Sequence, residues 1–237
     1  MKIFIAFLSL LMFSNNVTFS QQASYTDPGA AYLKLFLEKG SEGTYQQIGN
    51  FKVIGTSYLF GEKLKGGVYT KTEKSEHVEL GYNTYNQSLD VNLNGVQSIT
   101  KKVGEVDSFV IYANNSEFIK NDLLFYSSAL VSPKAKDGFY QIISMGSKYN
   151  LYKGYTSVLD IVSTNYIQSD LRQFSLEYNF YYTENNTKDF KKLKLSKKKI
   201  VDEFKSKMDV SIFLDEEELD KNPEIALKKV FNALNNQ

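Results

Sequence analysis

The sequence predicts a mainly β protein of the α+β class: an antiparallel curled sheet, open barrel or sandwich with amphipathic C-terminal helices. Three observations support this fold class. Apolar and polar residues alternate in several segments, most regularly in VELGYNTYNQSLDVNLNG at 78–95. The chain contains 17 Tyr and 17 Phe but only 3 Pro, and aromatic residues are favoured on pleated, half-buried surfaces. Helical periodicity is clearest after residue 188.

Residues 1–20 are predicted to be a secretory signal peptide. Lys2 precedes an apolar run at 3–13, and Thr18 and Ser20 are small residues suited to cleavage before Gln21. The run is shorter than the roughly 20 residues that a membrane-spanning helix needs. We therefore expect export without a transmembrane segment in the mature chain, to the periplasm, outer membrane or exterior of a Gram-negative cell.

Residues 21–50 are predicted to be a helical or irregular segment. Asp27 can cap a helix, Pro28 suits its first turn and Gly40 can end it. Residues 51–187 are the predicted antiparallel β domain. Its further strands are expected at 51–60, 66–72, 108–112, 139–145, 149–155 and 172–183, and loops are expected at 114–137 and 157–170.

The 78–95 run is predicted to bury one face and solvate the other, as in an antiparallel sheet. The apolar face holds Val78, Leu80, Tyr82, Leu89, Val91 and Leu93. His77, Glu79 and Asn83 fall on the polar face. Asn94-Gly95 favours a two-residue hairpin, which would pair Leu93 with Val96 and Val91 with Ser98. In 172–183 the apolar residues of one face are Phe174, Leu176, Phe180 and Tyr182.

Residues 188–237 are predicted to be a lysine-rich, α-helical appendage, with Ser196 as a helix cap and a second helix starting at Pro223. The lysine cluster can make weak contact with an anionic membrane or envelope polymer, although charge runs are usually solvated faces. Its members are Lys188, Lys191, Lys192, Lys194, Lys197, Lys198 and Lys199.

Little catalytic or metal-binding chemistry is predicted. The absence of cysteine excludes thiol catalysis, disulfides and thiolate metal sites. The only histidine, His77, has no marked partner, so we interpret it as a surface strand residue. Glu76, Glu79 and Asp90 could form a carboxylate pair for glycoside hydrolysis, but they fall on the predicted solvated face. We predict no catalytic, cofactor-binding or metal-ligating residue, and no cofactor.

Two further classes of partner are disfavoured by charge. The acidic run DEEELD at 215–220 lacks the alternating ligands and central glycine of a calcium loop, so we interpret it as a capped, solvated helix start. The formal net charge of +1 includes Lys2 of the predicted signal peptide. The mature chain is therefore close to neutral, which gives no support to nucleic-acid binding.

The stretches GTSYLFGEKLKGGVYT at 55–70 and VELGYNTYNQSLDV at 78–91 resemble a secreted, β-rich family of Bacteroidota, especially flavobacteria. That family carries Gly-Ser/Thr-Pro-Tyr-Leu, a Gly-Val/Ile strand and Leu-Arg-Tyr-Asn-x-Tyr-x-x-x-Leu/Met-Glu-Val. Here Ser57 replaces its proline, Gly81 its arginine and Asp90 its glutamate. The ending, from KKLKLSKKKIVDEF to VFNALNN, is similar as well. The resemblance implies a cell-envelope location and a β-rich fold, with no established activity.

These features predict an exported, non-enzymatic protein of the cell envelope, a binding or accessory subunit of an envelope or outer-membrane assembly. Exposed strand rows and amphipathic helices are suitable docking surfaces for such a role. One alternative is a soluble, barrel-like binder of a small apolar ligand. Another is a carboxylate-dependent hydrolase.

Overall fold

The computed structural model describes residues 38–39, 46–48, 51–93, 97–113, 119–161, 171–185, 187 and 189–237. The predicted signal peptide lies outside these residues, as does most of the predicted segment at 21–50. Within the described part, the fold is mainly β with C-terminal helices, which confirms the predicted fold class.

Thirteen strands of the described residues form one open sheet. Their bounds are β1 Glu38–Lys39, β2 Gln46–Ile48, β3 Phe51–Ile54, β4 Leu64–Tyr69, β5 Lys74–Asn83, β6 Ser88–Leu93, β7 Gln97–Lys102, β8 Ser108–Ile111, β9 Leu123–Ser127, β10 Phe139–Ser144, β11 Tyr149–Ile161, β12 Leu171–Glu184 and β13 Asp189–Leu193. The order is β1-β2-β3-β12-β11-β10-β9-β8-β4-β5-β6-β7, and β13 pairs with the end of β12. The pairings are antiparallel except that of β3 with β12, which is parallel.

The helices are α1 Ser128–Val131, α2 Lys197–Phe204, α3 Glu216–Lys221 and α4 Pro223–Asn235, with a 3-10 turn at Ser211–Phe213. Two of the helices, α2 and α4, begin where the sequence predicts. Pro223 occupies the first turn of α4, where its missing N–H costs nothing. Ser196 is the N-cap residue of α2, as predicted, but its side chain makes no capping hydrogen bond.

Several predicted boundaries are wrong. Strand β9 lies within the expected loop at 114–137, β11 continues to Ile161, and Glu38–Lys39 is a strand rather than the end of a helix. The β6–β7 register pairs Leu93 with Gln97 and Val91 with Ile99. Three residues therefore lie between the paired residues Leu93 and Gln97, where a two-residue hairpin was predicted. The partner of each β6 residue is one position further along the chain than predicted.

The described residues bury two large hydrophobic clusters. One is built from strands and their connections: Leu59, Leu64, Val68, Leu80, Tyr82, Leu89, Val91, Val106, Phe109, Ile111, Ile119, Phe125, Phe139 and Tyr155. Its centre is four rings, Tyr82, Phe109, Phe125 and Phe139, which we call the strand quartet. The predicted buried positions Leu80, Tyr82, Leu89 and Val91 all belong to this cluster, which confirms that face assignment.

The second cluster joins the C-terminal helices to β10–β13. Its buried members are Ile143, Tyr149, Leu151, Phe180, Tyr182, Leu193, Ile200, Phe204, Val210, Leu214, Leu219, Ala226, Leu227, Val230, Phe231 and Leu234. Its rings Tyr149, Tyr182, Phe204 and Phe231 are the helix–sheet quartet. Residues 189–193, within the predicted α-helical appendage at 188–237, form a strand, and the helices that follow pack on the sheet through this shared core.

Candidate binding surfaces

His77 lies in an irregular part of β5. The register of β5 with β4 shifts between Val78, opposite Gly66, and Ser75, opposite Val68. This bulge leaves His77 exposed with a φ of 56°, and its ring centroid lies 5.7 Å from that of Tyr112. Among the described residues, its ring nitrogens have no hydrogen-bond partner. The geometry therefore supplies neither the orienting group nor the nucleophile that a general base requires.

Each of the three candidate carboxylates has a protein partner, and Glu79 accepts from the Asn92 amide at 3.4 Å. Glu76 pairs with Lys74 at 2.7 Å, on the surface. Asp90 is a structural acceptor, since the Tyr58 hydroxyl donates to its Oδ2 at 2.5 Å and the Thr100 hydroxyl to its Oδ1 at 2.5 Å. Burial, reinforced by this bond to Asp90, raises the pKa of Tyr58.

Gly81 and Asp90, two positions at which the sequence departs from the pattern of the family it resembles, pack together with Tyr58. Gly81 and Asp90 are paired across β5 and β6, and Tyr58 lies over them. A Cβ atom at Gly81 would come within 2.6 Å of the Glu62 carbonyl oxygen and 2.9 Å of the Tyr58 ring. No side chain fits at position 81 unless the 57–62 segment moves, so glycine is a structural requirement here.

Asn83 was predicted on the solvated face but is buried. Its Oδ1 accepts hydrogen bonds from the backbone N–H groups of Tyr85 at 3.1 Å and Asn86 at 3.3 Å. The alternation ends here because the chain turns, and an asparagine side chain substitutes for strand partners in such a turn. The prediction for Asn83 is therefore wrong.

The acidic run starts α3, in agreement with the interpretation from sequence. Asp215 caps the helix by accepting from the Glu218 N–H at 2.8 Å, and carboxylates are favoured at this end by the helix dipole. Glu218 also pairs with Lys229 at 2.7 Å. In the part of the chain that the structure describes, no group of three acidic or histidine side chains is arranged to hold a metal ion.

The lysine cluster is divided between β13 and α2, and Lys188 lies outside the described residues. Lys191 faces α2 and pairs with Glu203 at 3.6 Å. Lys192, the next residue of β13, lines a groove that α2 also lines. This groove of about 310 Å³, beside Lys194 and Lys199, also contains Asp202. The charges of this surface are therefore mixed.

An exposed apolar surface interrupts the buried face of β12. Phe174 and Phe180 are buried, whereas Leu176 and Tyr178 between them are 50% and 44% exposed. The Lys153 Nζ lies 4.2 Å from the Tyr178 ring centroid and 2.6 Å from a Glu224 carboxylate oxygen. We call Leu176 and Tyr178 the Leu176 surface.

The other face of β12 lines a polar cleft of about 300 Å³, which we call the Gln87 cleft. Antiparallel register aligns Tyr140, Gly154 and Asn179 across three strands, with Thr156 opposite Glu177 in the next row. The turn at 84–87 and the loop at 136–138 form the facing walls, which include Tyr85, Gln87, Lys136 and Asp137.

A second pocket of about 280 Å³ lies beside α1, where Leu130 and Met145 are exposed. Its polar groups already have protein partners. Asn150 donates to Asn185 at 2.8 Å, and Asn185 donates to the carbonyls of Gly146 and Ser147 at 2.9 and 2.8 Å. These bonds close the β10–β11 connection, so a structural role accounts for the amides of this pocket.

The chain matches no protein-family model, no curated protein and no solved structure. Among its described residues, no helix is long and apolar enough to span a membrane. The Leu176 surface and the Gln87 cleft were not predicted from sequence. The cleft draws on segments far apart in the chain, and the only sequence signal for it was the abundance of tyrosine.

Proposed function

We propose that this protein is an exported, non-enzymatic binding or accessory subunit of an envelope or outer-membrane assembly, and that it contacts its partner through the Leu176 surface. One observation carries the proposal: large apolar side chains stay exposed on a face of β12 that is otherwise buried. Apolar residues that cluster at a protein surface commonly mark interaction sites. The predicted signal peptide and the Bacteroidota resemblance support the cellular location.

The electrostatics of the surface suit a protein partner. The Lys153–Glu224 pair is internally neutralised, and the Lys153 side chain is only 12% exposed. A partner that covers Leu176 and Tyr178 would therefore bury apolar area without leaving a charge unpaired, which is the costly event in an interface. The tyrosine also offers a hydroxyl for a hydrogen bond at the rim.

Two observations favour this role over the alternatives. The rings of the strand quartet lie 4.6 to 5.7 Å apart and fill the interior of the curled sheet where an apolar ligand would sit. The candidate carboxylates Glu76 and Asp90 are engaged by Lys74 and Tyr58. These contacts support the binding role over a ligand site inside the strand quartet or a catalytic Glu76–Asp90 pair.

The test is a tagged pull-down from gently solubilised envelopes, with cell fractionation in parallel. We expect stoichiometric recovery of an outer-membrane partner with the natural chain and loss of that partner with Leu176→Asp or Tyr178→Asp. Leu130→Asp is the matched control, because Leu130 is also half exposed but lies beside Thr183, about 23 Å along β12 from Leu176. Recovery of the protein alone from a soluble fraction would contradict the proposal.

A further inference from the structure

We propose that the Gln87 cleft is a binding site for a neutral sugar, a site separate from the Leu176 surface. Alternation along β12 places Glu177, Asn179 and Tyr181 on one face and Leu176 and Tyr178 on the other. The β12 residues of the two sites therefore lie on opposite faces of the strand. Binding in the cleft does not depend on a protein partner.

The turn that forms one wall of the cleft is held rigidly. The Gln87 Nε2 donates to the carbonyls of Thr84 at 2.8 Å and Tyr155 at 3.0 Å, and its Oε1 accepts from the Tyr82 hydroxyl at 2.6 Å. Gln87 adopts a φ of 55°, a conformation that costs energy in a non-glycine residue and recurs at functional sites. The opposite wall is fitted to it, because a Cβ atom at Gly138 would lie 2.7 Å from the Gln87 Oε1.

Thr84 fixes the same turn to β11. Its N–H and hydroxyl both donate to the Ser57 carbonyl at 2.9 Å, and its hydroxyl lies 2.6 Å from that of Ser157. The Ser157 N–H donates to the Thr84 carbonyl at 3.1 Å. A wall held in this way loses little conformational entropy when a ligand binds.

The partly exposed Tyr181 ring is the aromatic surface of the cleft floor. A Cβ atom at Gly154 would lie 3.0 Å from the Tyr140 ring and 3.1 Å from the Tyr181 ring, so a side chain there would press on both rings. The Tyr140 ring is itself buried, with its centroid 5.5 Å from that of Tyr181. Tyr85 also lines the cleft, although its ring packs against that of Phe174, with the centroids 5.7 Å apart. The exposed part of the Tyr181 ring can pack against the C–H face of a sugar.

Polar side chains without protein partners surround these rings. Thr156, Glu177 and Asn179 make no hydrogen bond or ion pair with any described residue. Together they offer a hydroxyl, a carboxylate and an amide, and so both donors and acceptors. Because sugar hydroxyls donate and accept alike, they can use all three groups.

The charges and polarity of the cleft disfavour an anion and an apolar ligand. An anion would be repelled by Asp137 and Glu177, which outnumber Lys136 in the cleft. A cation would be attracted by the two carboxylates more than it is repelled by the lysine, so a cation is one of the contrasting probes in the test below. An apolar ligand would strip water from all of these groups without replacing their hydrogen bonds. The volume of about 300 Å³ suits a small ligand, such as a monosaccharide or the end of a glycan.

The test is a titration of the purified protein with glucose, N-acetylglucosamine and maltose, followed by two-dimensional amide NMR. Inorganic phosphate and tetramethylammonium chloride are the contrasting probes. We expect at least one of the sugars to cause saturable shifts at Gly154, Thr156 and Asn179. Failure of all three sugars, or saturable shifts there with phosphate or tetramethylammonium alone, would overturn the inference.

Two variants complete the experiment. We expect Glu177→Gln and Asn179→Ala each to weaken sugar binding by about ten-fold, the effect of losing one strong hydrogen bond. The matched control Asp220→Asn changes an exposed acid of α3 and should leave the affinity unchanged. Melting temperatures should stay the same in all three variants. Sugar affinity that survives both cleft variants would show that binding occurs elsewhere.

Discussion

The two aromatic quartets of this protein are similar in composition but differ in what assembles them. The strand quartet takes its rings from β5, β8, β9 and β10, with centroids 4.6 to 5.7 Å apart. The helix–sheet quartet takes two rings from β11 and β12 and two from α2 and α4, at 5.2 to 6.4 Å. The first needs only strand pairing, whereas the second forms only when the helices dock.

The buried hydroxyls follow the same division. The Tyr82 hydroxyl donates to the neutral side chain of Gln87 at 2.6 Å, so the strand quartet is linked to the turn that lines the cleft. The Tyr182 hydroxyl donates to the carboxylate of Glu203, on α2. A charge-assisted bond therefore helps to hold the helices on the sheet. Each core thus extends towards a different part of the surface.

The largest expected effect is the loss of the strand core. Leu80→Asp or Val91→Asp places an unpaired carboxylate inside the cluster around Tyr82, and a buried charge without a partner is among the most destabilising changes known. We expect both variants to be unfolded by circular dichroism. Glu79→Ala, one position away on the exposed face of β5, should melt like the natural protein. Near-native melting of the Asp variants would contradict the face assignment.

High pH should destabilise both cores. Burial raises the pKa values of Tyr82 and Tyr182, the latter also through Glu203, and it raises that of Tyr140 to about 12. Tyrosine in the unfolded chain ionises near pH 10. The unfolded state therefore releases protons first, so the contribution of these tyrosines to the free energy of unfolding is fully present below about pH 10 and is lost as the pH rises through the higher folded-state values.

Urea unfolding at a series of alkaline pH values, with tyrosinate absorbance as a second probe, measures this effect. Tyrosinate from the buried residues should appear only together with unfolding. Full ionisation of all tyrosines in a protein that remains folded would show that the two quartets are open to solvent.

The helix–sheet core can be weakened selectively. Phe231→Ala removes a fully buried ring of α4 from contact with Tyr149, Tyr182 and Phe204. We expect a loss of about 3–5 kcal/mol in the free energy of unfolding. Hydrogen exchange should accelerate in α2 and α4 more than in β5 and β8. Equal acceleration in both regions would mean that the two cores unfold as one unit. Lys228→Ala, an exposed change on the same helix, is the control.

A smaller effect is expected at the end of α4. The Asn235 Oδ1 accepts from the N–H groups of Lys148 and Tyr149 at 3.0 and 2.8 Å, and its Nδ2 donates to the Tyr149 carbonyl at 3.0 Å. Asn235→Ala would leave these backbone groups without their partner and should cost about 1–3 kcal/mol. Asn236→Ala, the adjacent exposed position, should cost much less in the same denaturation assay. Equal costs in the two variants would show that the hydrogen bonds of the Asn235 side chain do not contribute to the free energy of unfolding.

The smallest effect is expected at His77. Its side chain is exposed at the bulge of β5, with its ring centroid 5.7 Å from that of Tyr112. His77→Ala should change neither the melting temperature nor the recovery of partners. A large functional loss with an intact fold would place His77 in a site that the geometry does not indicate.

Side-chain burial could be predicted from the sequence for β5 and β6 but not for the middle of β12, and the reason is physical. Alternation is a local property of a strand, so the buried positions of β5 and β6 could be assigned from residues 78–91 alone. Whether Leu176 is buried depends on what lies above the strand. It shares the face of Phe174 and Phe180 but stays exposed, because the β3 packing ends before it and the helices begin beyond it.

Neither candidate site could be predicted from the sequence, and the reason is related. The Gln87 cleft combines a turn at 84–87, a loop at 136–138 and the strands β11 and β12, and none of these segments carries a recognisable motif. Nothing in the sequence around Gly138 and Gly154 distinguishes them from other strand or loop residues. Their close contacts with Gln87, Tyr140 and Tyr181 become visible only when the strands are aligned.

The sequence by itself determined the mainly β class, the burial of the Leu80 face, the capped start of α3 at Asp215 and the proline that begins α4. These features depend on backbone and side-chain preferences within a few residues. The tertiary structure alone decided the parallel pairing of β3 with β12, the one-residue shift of the β6–β7 hairpin, the joining of the C-terminal helices to the sheet, and the positions of both candidate sites. Each of these depends on contacts between distant segments, which local pattern does not encode.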